Sequence, residues 1–266
     1  MGKLLGRIFK EDFKSVILWM VLPLVFALVV SQLIKFYGQN PLVMVLFSLT
    51  MTLALAGPFI ALIYIAVADY ERFYGKYAAF YSALPVKTGS ITWARFFNYL
   101  LMVLVAVIIS ILNFIVFSSI LSTDSIAFSE VLDKIRAVLS TIDIKNIIGA
   151  IVYVLALTIV NILLIQFSIT AGSSGILGKQ SKIKVIIVYV VASLIIGLIF
   201  ARIQVGSAIR YESLEYINET ATQVEVITDN SNGYTALLAP IGFNVISSVL
   251  LAAGTYYLHD RKLSVA

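Results

Sequence analysis

Six long stretches without charged side chains constrain this chain more than any other feature of its sequence. Their interiors contain no Asp, Glu, Lys or Arg, and the second stretch, from Leu42 to Ala68, has no charge across 27 residues. A helix needs about 20 apolar residues to cross a bilayer, and one central charge would cost roughly 2.5–3.5 kcal/mol. The sequence therefore predicts six transmembrane helices, at about residues 15–35, 42–68, 96–122, 146–172, 185–201 and 235–258.

The composition excludes a soluble domain of this size. Hydrophobic residues make up 61% of the 266 residues and charged residues only 12%, and no alternating strand pattern accounts for the excess. We therefore expect an all-α, polytopic membrane protein with one transmembrane domain, residues 1–266. The absence of cysteine removes disulfides, thiolate nucleophiles and zinc–thiolate sites. The basic residues are spread over several loops, so nucleic-acid binding is not predicted.

The distribution of basic residues predicts the orientation. Thirteen of the 19 Lys and Arg residues fall on the side of the two termini, whereas nine of the 14 acidic residues fall on the other side. Cytoplasmic loops of membrane proteins carry the excess of Lys and Arg. Both termini should therefore be cytoplasmic, in a multi-pass protein of the cell membrane.

The first 14 residues have the pattern of an amphipathic helix. Basic side chains recur on one face and apolar side chains on the other, and Asp12 interrupts the apolar side. Such a segment is typical of a helix lying on a leaflet surface. We therefore predict an interfacial elbow helix at residues 1–14, before the first span.

The segment from Asp69 to Arg95 carries the most specific pattern. Laid out as a helix, six of its residues share an arc of roughly 100°; these are Tyr70, Phe73, Tyr74, Tyr77, Tyr81 and Leu84. Pro85 would end the helix, and Gly75 is its weak point. The pattern predicts an amphipathic helix over 69–84 that either anchors a juxtamembrane loop or presents its polar side to a partner.

This segment resembles the corresponding loop in membrane subunits of bacterial type-2 ATP-binding cassette exporters. The resemblance is carried by the aromatic helix after the second span and by Leu84-Pro85-Val86-Lys87-Thr88-Gly89, which leads through Ile91 and Arg95 into the third. It extends to the layout of a basic N-terminal helix, six spans and a short basic C-terminus. The resemblance implies a permease subunit whose cytoplasmic coupling helix, between spans two and three, docks on a separate ATPase subunit.

The resemblance also implies partners and contact residues. The ATPase contacts would be made by Tyr70, Glu71, Arg72, Phe73, Tyr74 and Lys76. A second permease copy or a paralogue and membrane lipid would complete the assembly. ATP and Mg would bind only to the ATPase subunit, because Lys179 follows Gly178 without the spacing of a phosphate-binding loop. This chain is thus expected to bind no cofactor and to carry no catalytic residue.

Polar residues within the spans are candidates for the transport path. Asn113, Asn161 and Gln166 either pair across helices or line a cavity. An apolar path with few fixed charges suits a hydrophobic or amphipathic cargo, and we expect export of a peptide, toxin or drug. The sequence leaves the cargo, the choice between homodimer and heterodimer, and the effect of cargo on hydrolysis open.

The residues also leave two other functions open. The chain is alternatively a non-transporting scaffold or sensor that recruits a cytosolic partner. An intramembrane enzyme is less well supported, because His259 is the only histidine and Ser173-Ser174 has no activating base nearby in sequence. The role of two outer segments is also open: 123–145 has the spacing of an amphipathic helix, and 202–234 is a polar loop, either a gate or vestibule or a plain solvated loop.

Overall fold

The computed structural model is all-α and describes residues 2–38, 40–83, 86–121, 133, 136–137, 144–174, 181–219 and 232–263. Seven helices lie in these residues: α1 Gly2–Tyr37, α2 Pro41–Phe73, α3 Ala78–Ser82, α4 Thr88–Leu121, α5 Ile144–Ser173, α6 Lys182–Glu219 and α7 Asn232–Leu263. All except α3 contain a segment long and apolar enough to cross a membrane. The prediction of six candidate spans is confirmed.

The helices form two compact units, residues 1–139 and 140–266. In the first unit α1 packs on both α2 and α4, and α2 also contacts α3 and α4. In the second unit α5 packs on α6 and on α7. Many large apolar side chains on the spans are exposed, among them Leu18, Phe59 and Leu198. This is the expected surface of a protein whose solvent is lipid.

The connection between α1 and α2 shows how local sequence sets the helix ends. Gly38 adopts a positive φ of 61°, and its N–H donates to Ile34 O at 2.9 Å, which is the usual way a glycine ends a helix. Asn40 then caps α2, with its side chain accepting from Leu42 N at 3.0 Å.

Nearby, Ala27 and Val30 of α1 and Val43 and Phe47 of α2 form a buried apolar cluster.

The predicted boundary between an elbow helix and the first span does not appear. Residues 2–37 form one uninterrupted helix, because no glycine or proline lies near residue 14 to break it. Asp12, which interrupts the apolar face, is 1% exposed. Because Asp12 is buried against α2 and α4, the first turns of α1 are held in the first unit.

Of the two segments predicted between spans, 202–234 differs from its prediction where the structure describes it. Residues 202–219, expected to belong to a loop, continue α6 as helix to Glu219. They contain no proline and many good helix formers, and polarity alone does not stop a helix. Residues 220–231 lie outside the described residues. The predicted amphipathic helix within 123–145 also lies outside them, apart from residues 133, 136, 137, 144 and 145.

Candidate functional site

A buried ion pair joins the start of α1 to the end of α2. The Arg72 guanidinium donates through Nη1 to Asp12 Oδ2 at 2.9 Å and through Nη2 to Asp12 Oδ1. Asn98 Nδ2 of α4 donates to the same Oδ2 at 2.7 Å. The side chains of Arg72 and Asp12 are 9% and 1% exposed. One carboxylate therefore connects three helices that are distant in sequence.

A second buried pair lies between α2 and α4. Arg95 donates through Nε to Asp69 Oδ1 at 2.9 Å and through Nη2 to Oδ2 at 2.6 Å, and the Arg95 side chain is fully buried. The Tyr99 hydroxyl lies 3.5 Å from the same Oδ2. A planar guanidinium matches a carboxylate in this two-pronged manner. The end of α2 is thus bonded to α1 through Arg72 and to α4 through Asp69.

Aromatic rings cover the second pair. The Arg95 guanidinium carbon lies 5.2 Å from the Phe73 ring centre and 5.7 Å from that of Tyr74, distances at which a cation is attracted to a ring face. Tyr74 is 4% exposed, and the Phe73 ring centre lies 5.1 Å from that of Tyr81. Part of the predicted aromatic stripe therefore faces inward, onto a buried cation.

The predicted single helix over 69–84 is wrong, because the chain turns at Gly75. The amide N–H groups of Tyr74 and Gly75 both donate to Tyr70 O at 2.8 Å, and α3 begins only at Ala78. A Cβ at position 75 would lie 2.8 Å from Glu71 Cα, closer than real Cβ contacts. The residue predicted to weaken the helix is thus the one that interrupts it. Leu84 and Pro85 lie outside the described residues.

The turn and α3 carry the accessible part of the segment. Lys76 is exposed, and Tyr77 and Phe80 are 51% and 48% exposed. Tyr81 is buried, and this burial raises its pKa above the ordinary tyrosine value. The exposed side chains form a surface that we call the α3 surface: Lys76, Tyr77 and Phe80.

The six residues predicted to contact a partner occupy two different environments. Lys76 is accessible, and Tyr70, Glu71 and Phe73 are partly buried, whereas Arg72 and Tyr74 are buried. The structure brings all six to one end of the first unit but gives two of them internal contacts. Arg72 and Tyr74 hold the turn in position and present little surface to a partner.

An open cavity of about 540 Å³ lies between α1, the end of α2 and α3. Both basic and acidic side chains border it, together with the rings of Tyr64, Tyr77, Phe80 and Tyr81. Arg7 and Glu11 form an ion pair on its α1 wall, with Nε and Oε1 3.1 Å apart, and their side chains are 56% and 43% exposed. Exposed pairs of this kind are weak, so they exchange partners readily.

The three polar span residues proposed for the transport path also differ in environment. Asn113 is 5% exposed and Gln166 is fully buried. Neither Nε2 nor Oε1 of Gln166 has a hydrogen-bond partner among the described residues. Asn161 is exposed, and its Nδ2 donates to Leu157 O at 2.8 Å. Of the three, Gln166 has the strongest need for a polar partner.

Small residues allow close helix contact in the second unit. A Cβ at Gly172 would lie 2.6 Å from Val185 Cα, so α5 and α6 approach backbone to backbone there. Ser173 and Ser174 follow Gly172 in the sequence, and both are buried. His259, near the end of α7, is also buried. Within the described part of the chain, no three His, Asp or Glu side chains come together as metal ligands.

The acceptors of these ion pairs, Asp12 and Asp69, were not predicted as such. Asp12 was predicted only to interrupt an apolar face, and Asp69 only to begin the aromatic segment. Asn98, which donates to Asp12, was not predicted to have a role. A usable signal was present, because an acidic residue on an apolar helix face must find a partner when it is buried. The partner itself is set by packing between helices and cannot be read from spacing.

The fold and the span composition define the class: this is a multi-pass helical membrane protein. Comparisons with models of protein families, with curated proteins and with solved structures returned no match to the chain. The class therefore rests on the six candidate spans.

Proposed function

We propose that the chain is the permease subunit of an ATP-driven exporter of the ATP-binding cassette type, with hydrolysis on a separate cytosolic subunit. One observation carries the proposal: the α3 surface is exposed, while the residues on either side of it in sequence are fixed to α1 and α4 by buried ion pairs. A partner bound at the α3 surface would push on a segment that the two ion pairs hold rigidly against α1 and α4. Movement of the partner would then be passed directly to three spans.

In this proposal the two ion pairs transmit force from the α3 surface to the spans. Asp12 and Arg72 connect the turn to α1, and Asp69 and Arg95 connect it to α4. Packed helices shift between discrete arrangements more readily than they deform. ATP binding on the partner would accordingly move α1, α2 and α4 together. The chain needs no cofactor of its own in this scheme, since ATP and Mg belong to the partner.

The remaining features of the proposal rest on the sequence and on its resemblance to type-2 exporters. The excess of basic residues favours a cytoplasmic position for both termini and the α3 surface. By the resemblance, the assembly would lie in a bacterial cell membrane with two permease chains and two ATPase subunits. The few fixed charges of the spans favour an amphipathic or hydrophobic cargo, for which a peptide is the first candidate. Gln166 is the residue of the transport path that we propose first.

The test is co-purification of the full chain from its native membrane. A variant with Lys76, Tyr77 and Phe80 all changed to Ala should keep the thermal midpoint of the wild type and lose the co-purifying ATPase. Phe59→Ala, which removes a 70% exposed ring elsewhere on α2, should keep it. Arg72 is unsuitable for this test, because its loss would damage the fold.

Two results would contradict the proposal. One is a wild-type chain that emerges from gentle extraction with no nucleotide hydrolase. The other is an ATPase retained equally by the triple variant and by the wild type. A different cytosolic protein bound to the α3 surface would favour a scaffold or sensor instead.

A further inference from the structure

Three aromatic rings form an exposed patch near the start of α4. The ring centres of Trp93 and Phe97 lie 5.8 Å apart in a stacked arrangement, and Phe96 meets these two rings edge-on at 5.8 Å and 5.5 Å. Trp93 is 56% exposed, and Phe96 and Phe97 are partly buried. We call Trp93, Phe96 and Phe97 the α4 aromatic patch. The buried ion pairs use other residues of the same helix, Arg95 and Asn98.

The α4 aromatic patch is continuous with the exposed apolar side of its helix. Leu104 and Ile111 follow Trp93 by roughly three and five helical turns, so they return to the same side. They are 49% and 55% exposed. Arg95 and Met102, on the opposite side, are each 1% exposed. One side of α4 therefore faces away from the first unit from the patch into the span.

The sequence changes from polar to charge-free at the same place. Lys87 is exposed and lies roughly 9 Å before Trp93 along the helix axis. Beyond Arg95, no charged residue occurs from Phe96 to Ser122. Tryptophan is enriched where water meets hydrocarbon, because its ring is apolar and its indole N–H donates a hydrogen bond. The α4 aromatic patch thus has the composition and the position of an interfacial anchor.

We propose that the α4 aromatic patch binds the lipid head-group layer, at the membrane surface where α4 begins. Phosphate and ester oxygens of that layer would accept from the Trp93 indole N–H, and the rings would lie on the adjoining acyl chains. A cytosolic protein bound there would have to cover a side of α4 that lipid covers a few turns further along. The inference does not depend on the proposed transport function.

This position of the patch would put the first buried ion pair inside the membrane. The end of α2 contacts both the start of α1 and the start of α4 through the two ion pairs, so α1 and α4 enter the membrane from the same side. Asn98 lies roughly 7.5 Å further into the span than Trp93, and it donates to Asp12. The Asp12 carboxylate would then lie at the edge of the hydrocarbon, where an unpaired charge is costly. The bilayer would reach several residues closer to the N-terminus than the predicted start of the first span.

Two tryptophans make this depth measurable, since the chain contains only Trp19 and Trp93. Trp19 is 49% exposed and lies roughly 10 Å deeper along α1 than Asp12. Trp19→Phe reports on Trp93 alone, and Trp93→Phe reports on Trp19 alone. Each full-length variant is reconstituted in phosphatidylcholine vesicles whose lipids carry a fluorescence quencher on the head group or near the end of an acyl chain. We expect the head-group quencher to act more strongly on Trp93 and the acyl-chain quencher more strongly on Trp19.

The absence of cysteine allows a second measurement along the same side of α4. Lys87→Cys, Trp93→Cys and Leu104→Cys are compared in nanodiscs, where both membrane surfaces are in contact with water. The rate of reaction with a charged maleimide should be highest at position 87, lower at 93 and lowest at 104. Thermal midpoints close to that of the wild type show that each variant is folded.

Three outcomes would overturn the proposal. If neither quencher reaches Trp93, lipid does not cover the patch. If Trp93→Cys reacts as fast as Lys87→Cys, the patch lies in water and is open to a protein partner. If the acyl-chain quencher acts more strongly on Trp93 than the head-group quencher does, the patch lies within the hydrocarbon. Because these measurements need no ATPase, their failure is distinct from failure of the co-purification test.

Discussion

Arg72 and Asp12 are sixty positions apart in the sequence, and they form a two-pronged ion pair that is almost completely shielded from solvent. Glu11 Oε2 lies 3.5 Å from Arg72 Nη2 at the edge of the same pair. The pair fixes the start of α1 to the end of α2, and Asn98 adds α4. One carboxylate, that of Asp12, therefore joins three helices of the first unit.

Removing one partner of this pair should destabilise the protein strongly. Arg72→Met leaves the Asp12 carboxylate buried with only Asn98 as a donor, and we expect a loss of roughly 3–5 kcal/mol. The double change Asp12→Leu with Arg72→Met removes both charges and should recover part of that loss. Thermal unfolding of detergent-purified protein provides the measurement.

Lys87→Met is the control for the loss of a basic residue, because Lys87 is exposed and should change the thermal midpoint little. Equal midpoints for Arg72→Met and Lys87→Met would show that the pair does not stabilise the fold. A double variant less stable than Arg72→Met would show that Asp12 has another role.

Arg95→Lys should not behave as a conservative change. Arg95 uses Nε and Nη2 to hold both oxygens of Asp69, and a lysine ammonium cannot reproduce that geometry. We expect a loss of roughly 1.5–3 kcal/mol from the missing charged hydrogen bonds, measured as a lower thermal midpoint. A midpoint like that of the wild type would mean that a single point charge is sufficient beside Asp69.

Gly75→Ala and Gly6→Ala should have opposite effects. An Ala side chain at 75 would collide with the backbone of Glu71, whereas nothing lies within 4 Å of a Cβ at Gly6. Ala in a helix interior is favoured over Gly by about 0.5–1 kcal/mol, so Gly6→Ala should stabilise slightly and Gly75→Ala should destabilise. Circular dichroism and thermal unfolding measure both. A stabilising Gly75→Ala would indicate that the turn readily converts into helix.

Gly172→Ala should separate α5 from α6. The new methyl group would lie 2.6 Å from Val185 Cα, and overpacking of this kind costs roughly 1–3 kcal/mol. Gly197→Ala is the matched control on α6, because nothing lies within 4 Å of its Cβ. Disulfide crosslinking between cysteines introduced on α5 and α6 should slow in the first variant only. Equal rates in both would contradict the close approach.

Gln166→Leu separates a structural role from a transport role. The buried amide has no hydrogen-bond partner among the described residues, so an apolar replacement should raise stability by roughly 1–3 kcal/mol. If Gln166 contacts cargo as proposed, export by the same variant should fall while stability rises. Asn161→Leu, at an exposed position, should change neither. Unchanged export by Gln166→Leu would remove this residue from the transport path.

The number and approximate positions of the spans were determined by the sequence alone. Hydrocarbon excludes charge over a fixed thickness, so a run such as 42–68 can only be a membrane helix or a fully buried one, whatever its neighbours are. For the same reason the fold class could be predicted without knowledge of any contact. The local sequence also indicated the position of the break at Gly75, because glycine weakens a helix wherever it occurs.

The tertiary structure alone decided which charges are buried and with which partner. Asp12 and Arg72, and Asp69 and Arg95, are 60 and 26 positions apart, and helical periodicity says nothing about contacts between different helices. Arg72 and Tyr74 were thus predicted as surface contacts and are internal. The position of an ion pair depends on the distance between packed backbones, and that distance is set by side chains from several helices at once.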